Sequence, residues 1–237
     1  MKKILVTGVS KGIGLEFARQ YLGKGFTIFG ISRNPGDTTE LQTLSERYSD
    51  LLFVYSLDVS NVDARQGFYD FLSAKTNHLD VLINNAGVIS GNERFCQPFG
   101  TLDQDDLCKT MLVNSVSPLM MAELVFPLMK VSSKPVIVNI TSDNGSISKK
   151  NQHGKYGYSA SKAALNMMTK ILSIDLKQYG IIVISLHPGW VQTPMTEGED
   201  APLQPFESVN GMKEVIGSLE IKDSGRFFDW RGREIPW

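Results

Sequence analysis

Tyr158 and Lys162 stand four residues apart in the stretch YGYSASK. On a helix turning about 100° per residue, that spacing puts a phenol and an ammonium on one face. Tyr156 lies six residues from Lys162 and points well away from it, so Tyr158 is the candidate acid–base group. A free phenol has a pKa near about 10 and holds little phenolate at neutral pH. A neighbouring ammonium favours the charged form. A depression of about 2 to 3 units, roughly 3 to 4 kcal/mol, is the expectation for Tyr158. Such a group donates a proton to a carbonyl oxygen or takes one from an alcohol.

A second constellation lies at the other end of the chain. TGVSKGIG, Thr7 to Gly14, follows an apolar run and opens a helical pattern. Gly8 permits a tight turn, Gly12 lets backbone approach a diphosphate, and Gly14 lets the helix pack close, its N-terminus aimed at phosphates. This is the context in which a glycine trio reads as dinucleotide binding. The next strand ends GISRN, with Ser32 and Arg33 and no carboxylate, and Lys11 lies inside the glycine turn. A phosphate on the adenosine ribose would repel a carboxylate and attract these cations, so NADP is expected over NAD. Asp58 ends a third strand, placed to accept from the adenine amino group or to cap a helix. In NNAG, Ala86 and Gly87 leave room for a ring and ribose against backbone. Pro118 lacks the N–H that the Asn114 carbonyl would meet in a regular helix, so a bend is expected there.

These groups need a frame. Short β-branched runs (KKILVT, FTIFGIS, LLFVYSLDV, DVLINNA, PVIVNITS, IIVISLHP, GRFFDW) alternate with helical segments. A long helix is expected over 103–129, another over 155–179 and a last one over 207–218. Strands apolar throughout, with helices between, predict a doubly wound, mostly parallel seven-stranded sheet covered on both faces, in one domain. Ligands of such sheets bind outside the carboxyl ends of the strands. The proline-rich, acidic stretch at about 190–210 follows the sixth strand and is expected to be a substrate lid.

The chain has 237 residues and a formal charge of −1, which suggests no nucleic-acid partner. Cys96 and Cys108 read as reduced thiols, and His78, His153 and His187 form no ligand pair. The N-terminal apolar run is too short for a signal peptide, and no stretch is expected to span a membrane, so the expectation is a cytoplasmic protein.

TGVSKGIG, DV, NNAG, Asn114, Ser142, YSASK and HPGWVQT recur in the order of the short-chain dehydrogenases/reductases, which this chain resembles over Thr7 to Thr193. The ending GRFFDWRGREIPW resembles the branch of C-factor-like proteins and sniffer-like carbonyl reductases. The resemblance implies a Rossmann-type fold, with Gly8, Ser10, Lys11, Gly12, Ile13 and Gly14 along the diphosphate and adenosine. It implies Ser32 and Arg33 at an NADP phosphate, Asp58 and Val59 flanking adenine, and Asn85, Ala86 and Gly87 beside the ribose. Pro188, Gly189, Val191 and Thr193 would hold the nicotinamide, and its positive oxidised form would share with Lys162 in the expected lowering of the Tyr158 pKa. Tyr158 and Lys162 would be catalytic and touch the cofactor, Asn114 would serve a proton relay, and Ser142 would hold the substrate oxygen.

One spacing departs from the family. The serine usually precedes the tyrosine by about thirteen positions, which here falls on Gly145. Ser142, at a strand end, is preferred, with Ser146 in reserve. The implied reaction is hydride transfer between NADPH and an aldehyde, ketone or quinone, or its reverse from an alcohol. Phe95, Trp190 and Met195 are candidates for an apolar cleft lining. A cofactor-binding regulator of the same fold is the alternative, and the chain is too short for a sugar-nucleotide epimerase. The resemblance also implies a homodimer or homotetramer built on the two long helices, with Met120, Met121, Leu165 and Met168 suited to that seam or to the core.

Overall fold

The computed structural model describes residues 2–36, 38–89, 91 and 99–237. Seven strands form one sheet: β1 (Lys3–Thr7), β2 (Thr27–Ser32), β3 (Leu52–Ser56), β4 (Val81–Asn84), β5 (Val136–Ile140), β6 (Ile182–His187) and β7 (Phe227–Asp229). Their order is β3-β2-β1-β4-β5-β6-β7, and every pairing is parallel. The period of two in each strand sends side chains to both faces. Ile4 and Val6 of β1 enter one core with Ile83, Val138 and Ile184, while Leu5 enters the other with Phe29, Leu82 and Val183. Both faces are therefore covered, which is why the strands read as unbroken apolar runs.

Helices α1 (Gly12–Leu22), α2 (Thr39–Arg47) and α7 (Pro205–Ser218) close the first face through Phe17, Leu41 and Met212. Helices α3 (Arg65–Lys75), α5 (Ser117–Met129) and α6 (Tyr156–Asp175) close the second through Phe68, Val125 and Leu172. The chain winds one way from β1 and the other way from β4. The sheet thus reverses between Thr7 and Asn84, where a crevice must open.

The helix expected over 103–129 is broken at the predicted place. Helix α4 (Gln104–Met111) runs into a π turn at Leu112–Val116, and α5 resumes with Pro118 in its first turn. The Ser117 N–H reaches five residues back to the Leu112 carbonyl, the wider turn that a proline favours by withholding its own donor. This helical run, Gln104–Met129, is long and apolar enough by length and composition alone to cross a membrane, a test that a core helix also passes, and half of its most apolar stretch is buried inside the fold. Met121 and Leu165 belong to the interior, whereas Met167, Ile171 and Ile174 of α6 are exposed.

Candidate active site

At the crevice the first turn is shaped by contacts that only glycine allows. A Cβ on Gly14 would lie 2.1 Å from the Gly8 carbonyl oxygen and 2.5 Å from Asn85 Nδ2. Gly8 (φ 77°) and Gly12 (φ 59°) occupy the left-handed region. The turn is stitched to the end of β4. Backbone N–H groups of Asn85 and Ala86 both donate to Thr7 Oγ1 at 3.0 Å, and Asn85 Nδ2 donates to the Thr7 carbonyl at 2.9 Å. Thr38 Oγ1 donates to the Ser10 carbonyl at 2.9 Å. Sequence reasoning missed Thr7 and Thr38, because the bonds that matter join segments distant in the chain.

A cleft of about 280 Å³ runs from this turn to α6. Its wall includes Gly8, Ser10, Lys11, Gly12, Ile13, Ser32, Arg33, Asp58, Val59, Asn85, Ala86, Gly87, Tyr158, Lys162, Pro188 and Thr193, all expected from the sequence. Gly14, Asn114, Ser142, Gly189 and Val191 do not line it. Gly14 lies beneath the turn, Gly189 packs against Leu203 and Trp230, and Val191 is buried in a bridge to Leu203. Lys109, Leu112, Val113, Thr141 and Pro194 were missed. The first three come from α4 and the π turn, whose orientation no local pattern encodes. Met195 lines the cleft as expected, but Trp190 donates its indole N–H to Glu199 at 2.9 Å instead. Phe95 and Cys96 lie outside the described residues.

At the β2 end Arg33 and Lys11 are exposed cations on the cleft wall, while Ser32 is buried. Asp58 accepts from the Ser60 backbone at 2.9 Å and from its hydroxyl at 2.6 Å. Burial raises its pKa, and Ser60, Arg33 and Lys109 more than offset this, leaving the carboxyl below its ordinary range.

At the other end the chain enters α6 through Gly154 and Lys155, both with positive φ, and Lys155 is the one non-glycine residue so placed among those described. Tyr158 opens on the cleft and Lys162 is buried, on the same side of the helix. Lys162 Nζ is 5.8 Å from the Tyr158 ring centroid and donates to the Ile140 carbonyl at 2.9 Å. Tyr156 is exposed and faces the Phe99 ring at 6.4 Å. The Ser142 and Tyr158 side chains are hydrogen-bonded. Ser142 caps a short 3-10 turn, Asp143–Gly145. A Cβ on Gly145 would come within 2.7 Å of the Lys162 backbone, which gives a packing reason for glycine at the position thirteen before Tyr158. Ser146 is fully buried and donates to the Pro236 carbonyl at 2.6 Å.

Asn114 is fully buried within the π turn. Its amide accepts from the Val88 N–H at 2.8 Å and donates to the Val88 carbonyl at 2.8 Å and to Ser161 Oγ at 3.0 Å. It thereby ties the segment after β4 to α6, next to Gly87 and Lys162.

The expected lowering of the Tyr158 pKa does not appear in the protein chain by itself. Burial pushes the phenol up to about 12, the Ser142 hydrogen bond opposes this, and the Asp143 and Glu199 carboxylates reinforce it. Burial also pulls Lys162 down to about 8. Desolvation, which disfavours every charge, is the largest cause of both shifts.

These features fit a nicotinamide dinucleotide: a glycine cradle that a Cβ would fill, the cations Lys11 and Arg33 with Ser32 rather than a carboxylate at the end of β2, and a cleft reaching a phenol. Among the described residues no cluster of side chains could hold a metal ion.

The family model described as "short chain dehydrogenase" matches residues 2–204. The C-signal protein of Myxococcus xanthus is 43% identical over 162 residues, 68% of this chain and 95% of that protein. The carbonyl reductase Sniffer of D. melanogaster is 31% identical, with TM-score 0.93 and full coverage of both chains. An NADPH-bound carbonyl reductase from chicken fatty liver is 31% identical with TM-score 0.90, covering 100% of this chain and 99% of that one. The chain belongs to the short-chain dehydrogenase/reductase family of NAD(P)-dependent oxidoreductases.

Proposed function

We propose that the protein is an NADP-dependent reductase of small carbonyl compounds, with Tyr158 as the proton donor. The observation that carries this reading is the Ser142–Tyr158 hydrogen bond at one end of a cleft whose other end holds Lys11 and Arg33. NADPH, when bound, supplies the hydride. Ser142 and Tyr158 hold the substrate oxygen, and Tyr158 releases its proton onto that oxygen as negative charge develops there. A phenol held near pKa 12 is fully protonated at neutral pH, which suits reduction. Lys162 would hold the nicotinamide ribose, and its charge would stabilise the phenolate left behind. Asn114 fixes Val88 and Ser161 around the lysine, in keeping with a role in returning protons. The stretch at about 190–210, with Met195 on the cleft wall, serves as the lid. The bound cofactors of the carbonyl reductase neighbours support NADPH.

The test is NADPH oxidation with a panel of aldehydes, ketones and quinones. Turnover by the wild type, lost in Tyr158→Phe with NADPH binding intact, is expected. Equal activity in the two proteins overturns the assignment. Similarity to C-signal favours a second reading, signalling through the bound dinucleotide. Tight NADPH binding with no turnover of any carbonyl would select it. Pairing of two copies through the exposed Met167, Ile171 and Ile174 of α6 belongs to the same proposal, and sedimentation of wild type against Ile171→Glu tests it.

A further inference from the structure

The turn that carries Ser142 is clamped on two sides. From α6, the Lys162 backbone presses on Gly145, and Asn166 Nδ2 donates to the Gly145 carbonyl at 3.2 Å. From the segment after β7, Pro236 and Trp237 hold the residues just beyond the turn. Ser146 Oγ lies 2.6 Å from the Pro236 carbonyl oxygen and 3.1 Å from that of Trp237. The backbone N–H and hydroxyl of Ser148 donate to the Trp237 carbonyl at 3.1 and 3.0 Å. The Trp237 indole stacks on Phe227 of β7, with centroids 5.5 Å apart, which anchors the whole strap to the sheet edge.

We propose that Ser146 and the Pro236–Trp237 strap are positioning elements for Ser142, setting where its hydroxyl meets Tyr158 and the substrate oxygen. The hydroxyl of Ser146 has no exposure and is taken up by the main-chain oxygens of Pro236 and Trp237, which leaves it to hold the turn rather than to meet substrate. Its bonds fix the end of a turn only three residues long, whose N–H groups at Gly145 and Ser146 return to Ser142 and Asp143. Such a short turn has no slack: release at Ser146 is transmitted to the Ser142 backbone. In active sites a misplacement of about 1 Å costs up to roughly 100-fold in rate. This inference rests on the role proposed above for Ser142.

The experiment pairs a double-mutant cycle with hydrogen exchange. Ser146→Ala should lower kcat by about 5- to 50-fold, below the loss a 1 Å misplacement brings, with NADPH affinity unchanged. In a Ser142→Ala background the same change should cost less than about 2-fold, because the two residues act as one unit. Trp237→Phe, which keeps both stack and carbonyl, should stay near wild type, while Trp237→Ala should fall between. Amide exchange over 142–150 should accelerate in Ser146→Ala and stay unchanged at the glycine turn. Full turnover in Ser146→Ala, an equal loss in both backgrounds, or unchanged exchange overturns the proposal. If the wild type turns over no carbonyl, the reading of Ser142 fails, and exchange alone still decides whether the strap holds the turn.

Discussion

The two ends of the cleft are built on opposite plans. The dinucleotide end is backbone and surface: glycines with no room for a Cβ, threonine hydroxyls stitching strand ends, and two cations in solvent. The α6 end is side chain and interior: a buried lysine, a phenol aimed into the crevice, and a serine at the start of a short turn whose far end is bonded to α6 and to the final segment. Binding at the first end works in water, which weakens but does not abolish the pull of its two cations on a phosphate. Chemistry at the second depends on desolvation, so each polar atom there shifts its neighbours. The contrast implies that substitutions at one end should move affinity, and at the other rate.

The largest effect should come from Tyr158→Phe. Losing the proton donor should lower kcat by about 10²- to 10⁴-fold while fluorescence titration shows NADPH affinity within about 2-fold of wild type. A large loss of affinity would erase the distinction between the ends. Gly14→Ala should do the reverse. Its methyl carbon would meet backbone oxygen at 2.1 Å, so α1 must shift at a cost of about 1 to 3 kcal/mol. Weaker NADPH binding and a lower Tm should result, and an unchanged Tm would mean that the turn has slack. Arg33→Asp should move the preference between NADPH and NADH by roughly 10- to 150-fold, since a charge-assisted contact contributes about 1.5 to 3 kcal/mol. The kcat/KM ratio for the two cofactors reads this directly, and a constant ratio would remove Arg33 from phosphate recognition.

The smallest effect is in folding stability. Native Lys162 loses its proton near pH 8, against 10.5 for an exposed lysine. Between these values the unfolded chain binds the extra proton, so this group's contribution rises with pH, and it is lost as pH falls through 8. Lys162→Met removes the charge penalty but leaves the Ile140 carbonyl without its donor, so the net change at neutral pH should be on the order of 1 kcal/mol. Urea unfolding should show the wild type gaining on the variant between about pH 8 and pH 10. A flat difference would place the ammonium in a wetter site. Above about pH 10, Tyr158, pushed up to about 12, acts in the opposite sense.

What could be read in advance was local. The i, i+4 pair of Tyr158 and Lys162, the glycines after the first strand and the break before Pro118 each follow from spacing within a few residues. The doubly wound parallel sheet followed from alternating apolar runs and helical segments. Counting along the chain failed where loops intervene. It pointed to Gly145 for the serine, whereas the tertiary fold presses that glycine on Lys162 and joins Ser142 to Tyr158. Ser146 likewise meets a partner 90 positions away, and Lys109 reaches the cleft from α4, whose placement in the fold no local spacing encodes.

By itself the sequence determined the strands and helices, the glycine cradle and the shared face of the phenol and ammonium, because backbone sterics and helical period act over a few residues. The tertiary structure alone decided what clamps the turn of Ser142, the serine its strand end had pointed to, and in which direction both pKa values move. Those depend on which atoms exclude water from a point in space, and residues from β5, α6, β7 and the final segment converge there only after folding.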